Sequence, residues 1–141
     1  MTQIKYRYIR IELEQFAIFD ENCTPTNDNA QFQTAAQFSY DTEQHIVCSS
    51  VSVTLSNNDD SPMLRAELRS YFDIQPESVE TLRHNGVIEF DVPLLIQFAS
   101  LCYGSLRGVI FTKTNNTPLN GFVLPPVYFS SIIDKPFIVK A

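Results

Sequence analysis

The sequence has no tryptophan and only 4 glycines, 3 cysteines and 2 histidines, and each scarcity narrows the chemistry. Cys23, Cys48 and Cys102 are widely spaced, with no C-x-x-C pair, which argues against a disulfide framework or a structural zinc site. A Ser, Cys or Thr nucleophile would have to find His45 or His84 as its base. His45 follows a turn, and His84 sits beside Asn85-Gly86 at an expected helix end, where a cation meets the dipole favourably. No H-E-x-x-H, EF-hand or Walker pattern occurs. Gly104-Ser105-Leu106-Arg107-Gly108 has the spacing of neither a phosphate loop nor a serine elbow. Glu89, between Ile88 and Phe90, is the carboxylate nearest an apolar setting, and strand alternation places it in solvent. The expectation is a non-enzyme with no catalytic residue, no cofactor and no metal.

Positive charge is also short: 10 basic against 16 acidic residues give a net charge of −6. That balance speaks against nucleic acid or an anionic membrane surface as partner. The start, MTQIKYRYIR, has no apolar core of a signal peptide, and no run approaches about 18 apolar residues. A cytoplasmic protein without membrane insertion is expected. Its 141 residues read as one domain, residues 1–141, with a sheet over about 3–75 and a helical part over about 77–134.

What is present in quantity is phenylalanine and tyrosine, 11 and 6 residues, and an apolar stretch from Asp91 to Phe129. Leu95, Phe98, Cys102, Leu106, Val109 and Ile110 recur at steps of three and four and predict one long helix. Asp91 is suited to cap it, and Pro93 falls in the first turn, where its missing N–H costs nothing. Gln97, Ser100, Gly104 and Gly108 form a second, small-residue strip on the same helix. Each interior glycine costs roughly 0.5–1 kcal/mol relative to alanine, so close approach of another backbone is expected there.

The preceding sequence reads as four antiparallel strands. From Ile4 to Phe19 the pattern is strand-like and its apolar parity switches twice, which predicts bulges near Tyr8 to Ile9 and near Glu14 to Gln15. Residues 20–30 read as a surface loop. Phe32 to Tyr40, Val47 to Leu55 and Leu64 to Ile74 each alternate, and residues 56–62 close a hairpin. A short helix is expected from about Glu77 to Leu82, stopped by Asn85-Gly86. After the long helix, residues 114–121 form a polar hinge. Phe122 to Pro126 is extended because residues before proline avoid helical dihedrals, and a helical turn follows around residues 129–133. Phe122, Val123, Leu124, Val127 and Tyr128 are the candidate exposed apolar groove, a place for another polypeptide.

The segment SLRGVIFTKTNNTPLNGFVLPPVYF, residues 105–129, with the strand AELRSYFDI, residues 66–74, and IELEQFAIFDEN, residues 11–22, resembles the SecB family of export chaperones. The resemblance implies an α+β, SecB-like fold with a four-stranded antiparallel sheet, one long helix and short flanking helices. It implies an ATP-independent chaperone that binds unfolded or partly folded polypeptides in hydrophobic grooves lined by a crossover loop, here residues 114–127. It further implies a homo-dimer or tetramer, with Ser100, Gly104 and Gly108 at the contact. A translocase motor or an antitoxin would be a partner, with Glu67 the residue left for motor docking. Gln15 and Phe19 stand where export-type members carry acidic residues, and Arg65 replaces an apolar one. A structural or assembly subunit with one fixed partner is the alternative reading.

Overall fold

The computed structural model describes residues 3–23 and 30–140. Four strands, β1 (Tyr6–Ile18), β2 (Gln31–Asp41), β3 (Ile46–Ser56) and β4 (Pro62–Ile74), form one antiparallel sheet in the order β1-β4-β3-β2. Short turns join β2 to β3 and β3 to β4, but not β1 to β2. Residues 19–30 carry the chain from one edge of the sheet to the other, giving the strand order of a Greek key. Of the expected 20–30 loop, Asp20–Asn22 is a 3-10 turn, and residues 24–29 lie outside the described residues.

Both predicted bulges are present, as register shifts between Tyr8 and Arg10 and between Leu13 and Gln15. They follow from the apolar pattern. With one extra residue at each shift, Tyr6, Tyr8, Ile11, Leu13, Phe16 and Ile18 all stand opposite Ile74, Phe72, Ser70, Leu68, Ala66 and Leu64, on the side of β4 that is buried. Without the bulges half of these side chains would turn to the outer face.

After α1 (Pro76–Leu82), a two-residue turn joins β5 (Arg83–His84) to β6 (Val87–Phe90). Asn85 and Gly86 have φ of 51° and 78°, the left-handed pair that a tight hairpin turn needs. Asn85-Gly86, expected to stop a helix, instead closes a hairpin, and His84 faces Glu89 at 3.3 Å across it rather than capping a helix. A further strand, β7 (Phe137–Lys140), pairs with β6 and was also not expected.

The long helix α2 (Val92–Lys113) starts as predicted, with the Asp91 carboxylate accepting from the Leu94 N–H at 3.0 Å. It ends where Thr114 turns its hydroxyl onto the Ile110 carbonyl at 2.8 Å. Its buried side, which includes Leu95, Phe98, Cys102, Leu106 and Ile110, packs on β3 and β4. Phe98 stacks on Phe72 at 4.5 Å, with Tyr6 edge-on to both rings. The Cys102 thiol donates to the carbonyls of Ser49 and Leu68, both at 3.4 Å. Although Gln97, Ser100, Ser105 and Arg107 interrupt any long apolar run, α2 is long and apolar enough on average to cross a bilayer by length and composition; its apolar stripe is spent on the sheet.

Candidate functional site

The hinge and crossover residues divide into anchors and exposed groups. Leu124 is 1% exposed and belongs to the core, so its expected place in an open groove is corrected: it fastens the segment. Tyr103 donates its hydroxyl to the Pro125 carbonyl and meets Phe129 edge-on at 5.8 Å. Burial pushes the Tyr103 phenol up to about 12. Phe122 and Val127 are half-buried, Val123 is exposed and Tyr128 is 76% exposed. In and out therefore alternate from Phe122 to Leu124, and the segment lies as a strap on the core, with single side chains open to solvent.

A longer open surface runs along β2. Among the described residues β2 pairs with β3 alone, so one of its main-chain edges is free. On the core-facing side Phe32, Thr34, Ala36, Phe38 and Tyr40 are half-buried. Two depressions follow the strand. One, of about 470 Å³, is lined by Ala36 and Phe38 with Leu95, Ile133, Pro136 and Phe137. The other, of about 540 Å³, is lined by Phe32–Ala35 with Ser52 and Thr54. Ile132 borders both and is 38% exposed. Asp134 and Lys135 are the charged residues in these linings. The first depression is mostly apolar and the second is lined largely by the polar Gln33, Thr34, Ser52 and Thr54; a free strand edge beside them can accept an extended chain through main-chain hydrogen bonds and shallow side-chain contacts. Ile132 and the β2 side chains are not among the site residues expected from the sequence.

The opposite edge is built differently. Ile11 belongs to the core-facing side of β1 yet is 46% exposed, because the helix above presents Gly104, Ser105 and Gly108. These residues, with Val109, Thr112 and Lys113, border a groove of about 540 Å³. Ser100, Gly104 and Gly108 are all exposed, and a Cβ built at either glycine meets nothing within 4 Å. Among the described residues of one chain, then, no backbone approaches Gly104 or Gly108, and the expected close contact is not made within the subunit. Tyr8 ties the edge to the helix through the Ser105 hydroxyl at 2.8 Å.

Glu67 lies on the outer face of the sheet, where its carboxylate accepts from Ser50 at 2.7 Å. Gln15 stands opposite it and Arg65 and Arg69 flank it along β4. Around it the charges pair off as Arg7–Asp73, Arg10–Glu12 and Arg69–Glu14 at 2.9, 3.2 and 3.6 Å. Glu67 is thus one carboxylate in a mixed, neutralised face. No group of three or more His, Cys, Asp or Glu that could hold a metal occurs among the described residues. The three cysteines are free, and burial raises the Cys102 thiol to about 11.

No protein-family model matches the chain, and no curated protein matches its sequence. Among solved structures it is similar to a SecB-like chaperone of Mycobacterium tuberculosis in complex with a peptide from an antitoxin. That match has a TM-score of 0.55 and 12% identity, and covers 86% of this chain and 90% of the other. It is also matched to a protein of unknown function from Streptococcus agalactiae, with a TM-score of 0.48 and 11% identity over 89% of this chain and all of the other. The first likeness establishes a distant SecB-like fold: an antiparallel sheet of four strands, one long helix and a second short one.

Proposed function

We propose that this chain is a SecB-like, ATP-independent chaperone of the cytoplasm that binds unfolded or partly folded polypeptides. The observation that carries the reading is the free edge of β2 beside the mostly apolar depression that Ile132 borders. An extended client adds as a strand, and its main chain supplies bonds that any sequence can make. Side chains at alternate positions enter the trough, and affinity grows with the length engaged and with the number of subunits that share one client. Val123 and Tyr128 on the crossover strap extend the contact, with Phe122 and Val127 beneath them and Leu124 holding the strap in place.

The subunit acts as a homo-dimer or tetramer in this reading. Two glycines inside a helix cost stability with no return in the single chain, and Ile11 beneath them is left open. A second copy seated on this groove supplies the missing backbone. The antitoxin peptide bound by the Mycobacterium chaperone makes an antitoxin segment one client to try first. Export through a translocase motor draws less support, since the face around Glu67 carries as many positive groups as negative. The fixed-partner reading draws on the β1 groove, whose shape suits one mate better than many.

The test is fluorescence anisotropy with labelled, reduced and carboxymethylated α-lactalbumin, a chain that cannot refold, together with two unrelated unfolded proteins. Binding to all three, lost in Ile132→Asp with the melting temperature preserved, is the expected result. Indifference to all three would leave the fixed-partner reading in its place.

A further inference from the structure

The small sheet offers a second strand-accepting edge that is already filled. β7 pairs with β6 over four residues, Phe137 to Lys140 opposite Phe90 to Val87. It follows the alternation a bound client would show: Phe137 and Val139 turn to the core, while Ile138, 53% exposed, and Lys140 face out. Beneath it Ile88 and Phe90 are almost fully buried. Phe137 stacks on Phe90 at 5.8 Å and lies 6.5 Å from Phe38 of β2. The β6 edge therefore abuts the apolar end of the β2 trough, and Phe137 is the wall between them.

We propose that β7 is an internal stand-in for a bound polypeptide strand, and that an extended segment with apolar residues at alternate positions displaces it from β6. The inference rests on the polypeptide-binding reading and adds its regulation. With β7 away, β5 and β6 are a two-stranded hairpin of two residue pairs, marginal on its own, so the edge is open for only a small fraction of the time. Displacement exposes Ile88 and Phe90 next to Phe38 and Tyr40 and lengthens the trough by one strand. Because the intact chain offers this edge for only a fraction of the time, its apparent affinity is reduced by that fraction.

Two full-length variants test the idea with carboxymethylated α-lactalbumin as probe. Ile138→Pro removes a main-chain donor from β7 at an exposed position; because Phe137 also lines the β2 trough, its effect is read together with that of the cross-linked variant. It is expected to tighten binding several-fold, by the reciprocal of the fraction of time the edge is open in the unaltered chain. Glu89→Cys with Ile138→Cys, which face each other across β6 and β7, allows the strand to be cross-linked. The oxidised form is expected to bind more weakly than the unaltered chain and to recover on reduction. Should Ile138→Pro fail to fold, the cross-linked chain still decides. Equal affinity in the unaltered, cross-linked and reduced chains overturns this inference and leaves the chaperone reading standing. No binding by any of them overturns both.

Discussion

The two edges of the main sheet differ in every property that sets what can join them. β1 is bulged twice, carries charged groups on its outer face and lies under a helix surface of glycine and serine. β2 is regular, pairs with β3 residue by residue from Gln31 to Asp41 without a shift, and has no charged group before its last residue. A bulged, shaped edge restricts register and favours one partner with matching relief. A straight, neutral edge accepts many strands in many registers. On the proposed reading, the fixed contact falls to β1 and the variable one to β2.

The largest expected effect separates both edges from the strap that spans the core. Leu124→Ala removes a buried anchor and should cost about 2–5 kcal/mol, read as a lower urea midpoint at unchanged m value. A loss under 0.5 kcal/mol would mean the strap is not fastened there. Next comes the β2 side: Ile132→Asp should weaken client binding at least tenfold, about 1.4 kcal/mol, with the oligomer unchanged in sedimentation. If the oligomer dissociated too, the division between the edges would fail. On the β1 side, Gly104→Leu should shift the oligomer toward monomer. The monomer itself should gain up to about 1 kcal/mol, since leucine is the better helix former and its Cβ meets open space. An unshifted oligomer with the same stability gain would leave the glycines without a role at an interface.

The smallest effect is a matter of pH. The Tyr103 phenol is raised from 10.0 to about 12 because burial disfavours its anion. Its contribution to fastening the strap is therefore complete below pH 10 and lost as pH rises through about 12. Proteolysis within residues 114–128 should accelerate across that window in the unaltered chain and not in Tyr103→Phe, whose cleavage should already be faster at neutral pH.

Much of this architecture is written in apolar spacing. The α2 stripe, the Asp91 cap and the two bulges were all legible, because burial of one face forces each residue to its side. Strand partners were not. β2 alternates in the same way whether it lies at an edge or in the middle, and residues 19–30 do not reveal that β1 lies beside β4. β5 and β7 are too short to display a period, and Asn85-Gly86 suits both a helix end and a hairpin. In the candidate site, Val123 and Tyr128 were read as open and are so. Leu124 was read as open because a Pro-containing extended segment does not announce which side chains turn inward. Ile132 lies in the final 3-10 turn region with no repeating neighbour, so its position over the β2 trough depended wholly on tertiary packing.

The division between the edges is tested most directly by amide hydrogen exchange on the intact protein with and without an unfolded client. The account expects added protection over residues 31–41 when the client is present, while protection over residues 6–18 changes with protein concentration and not with client. Client-dependent protection confined to residues 6–18, with residues 31–41 unaffected, would contradict it.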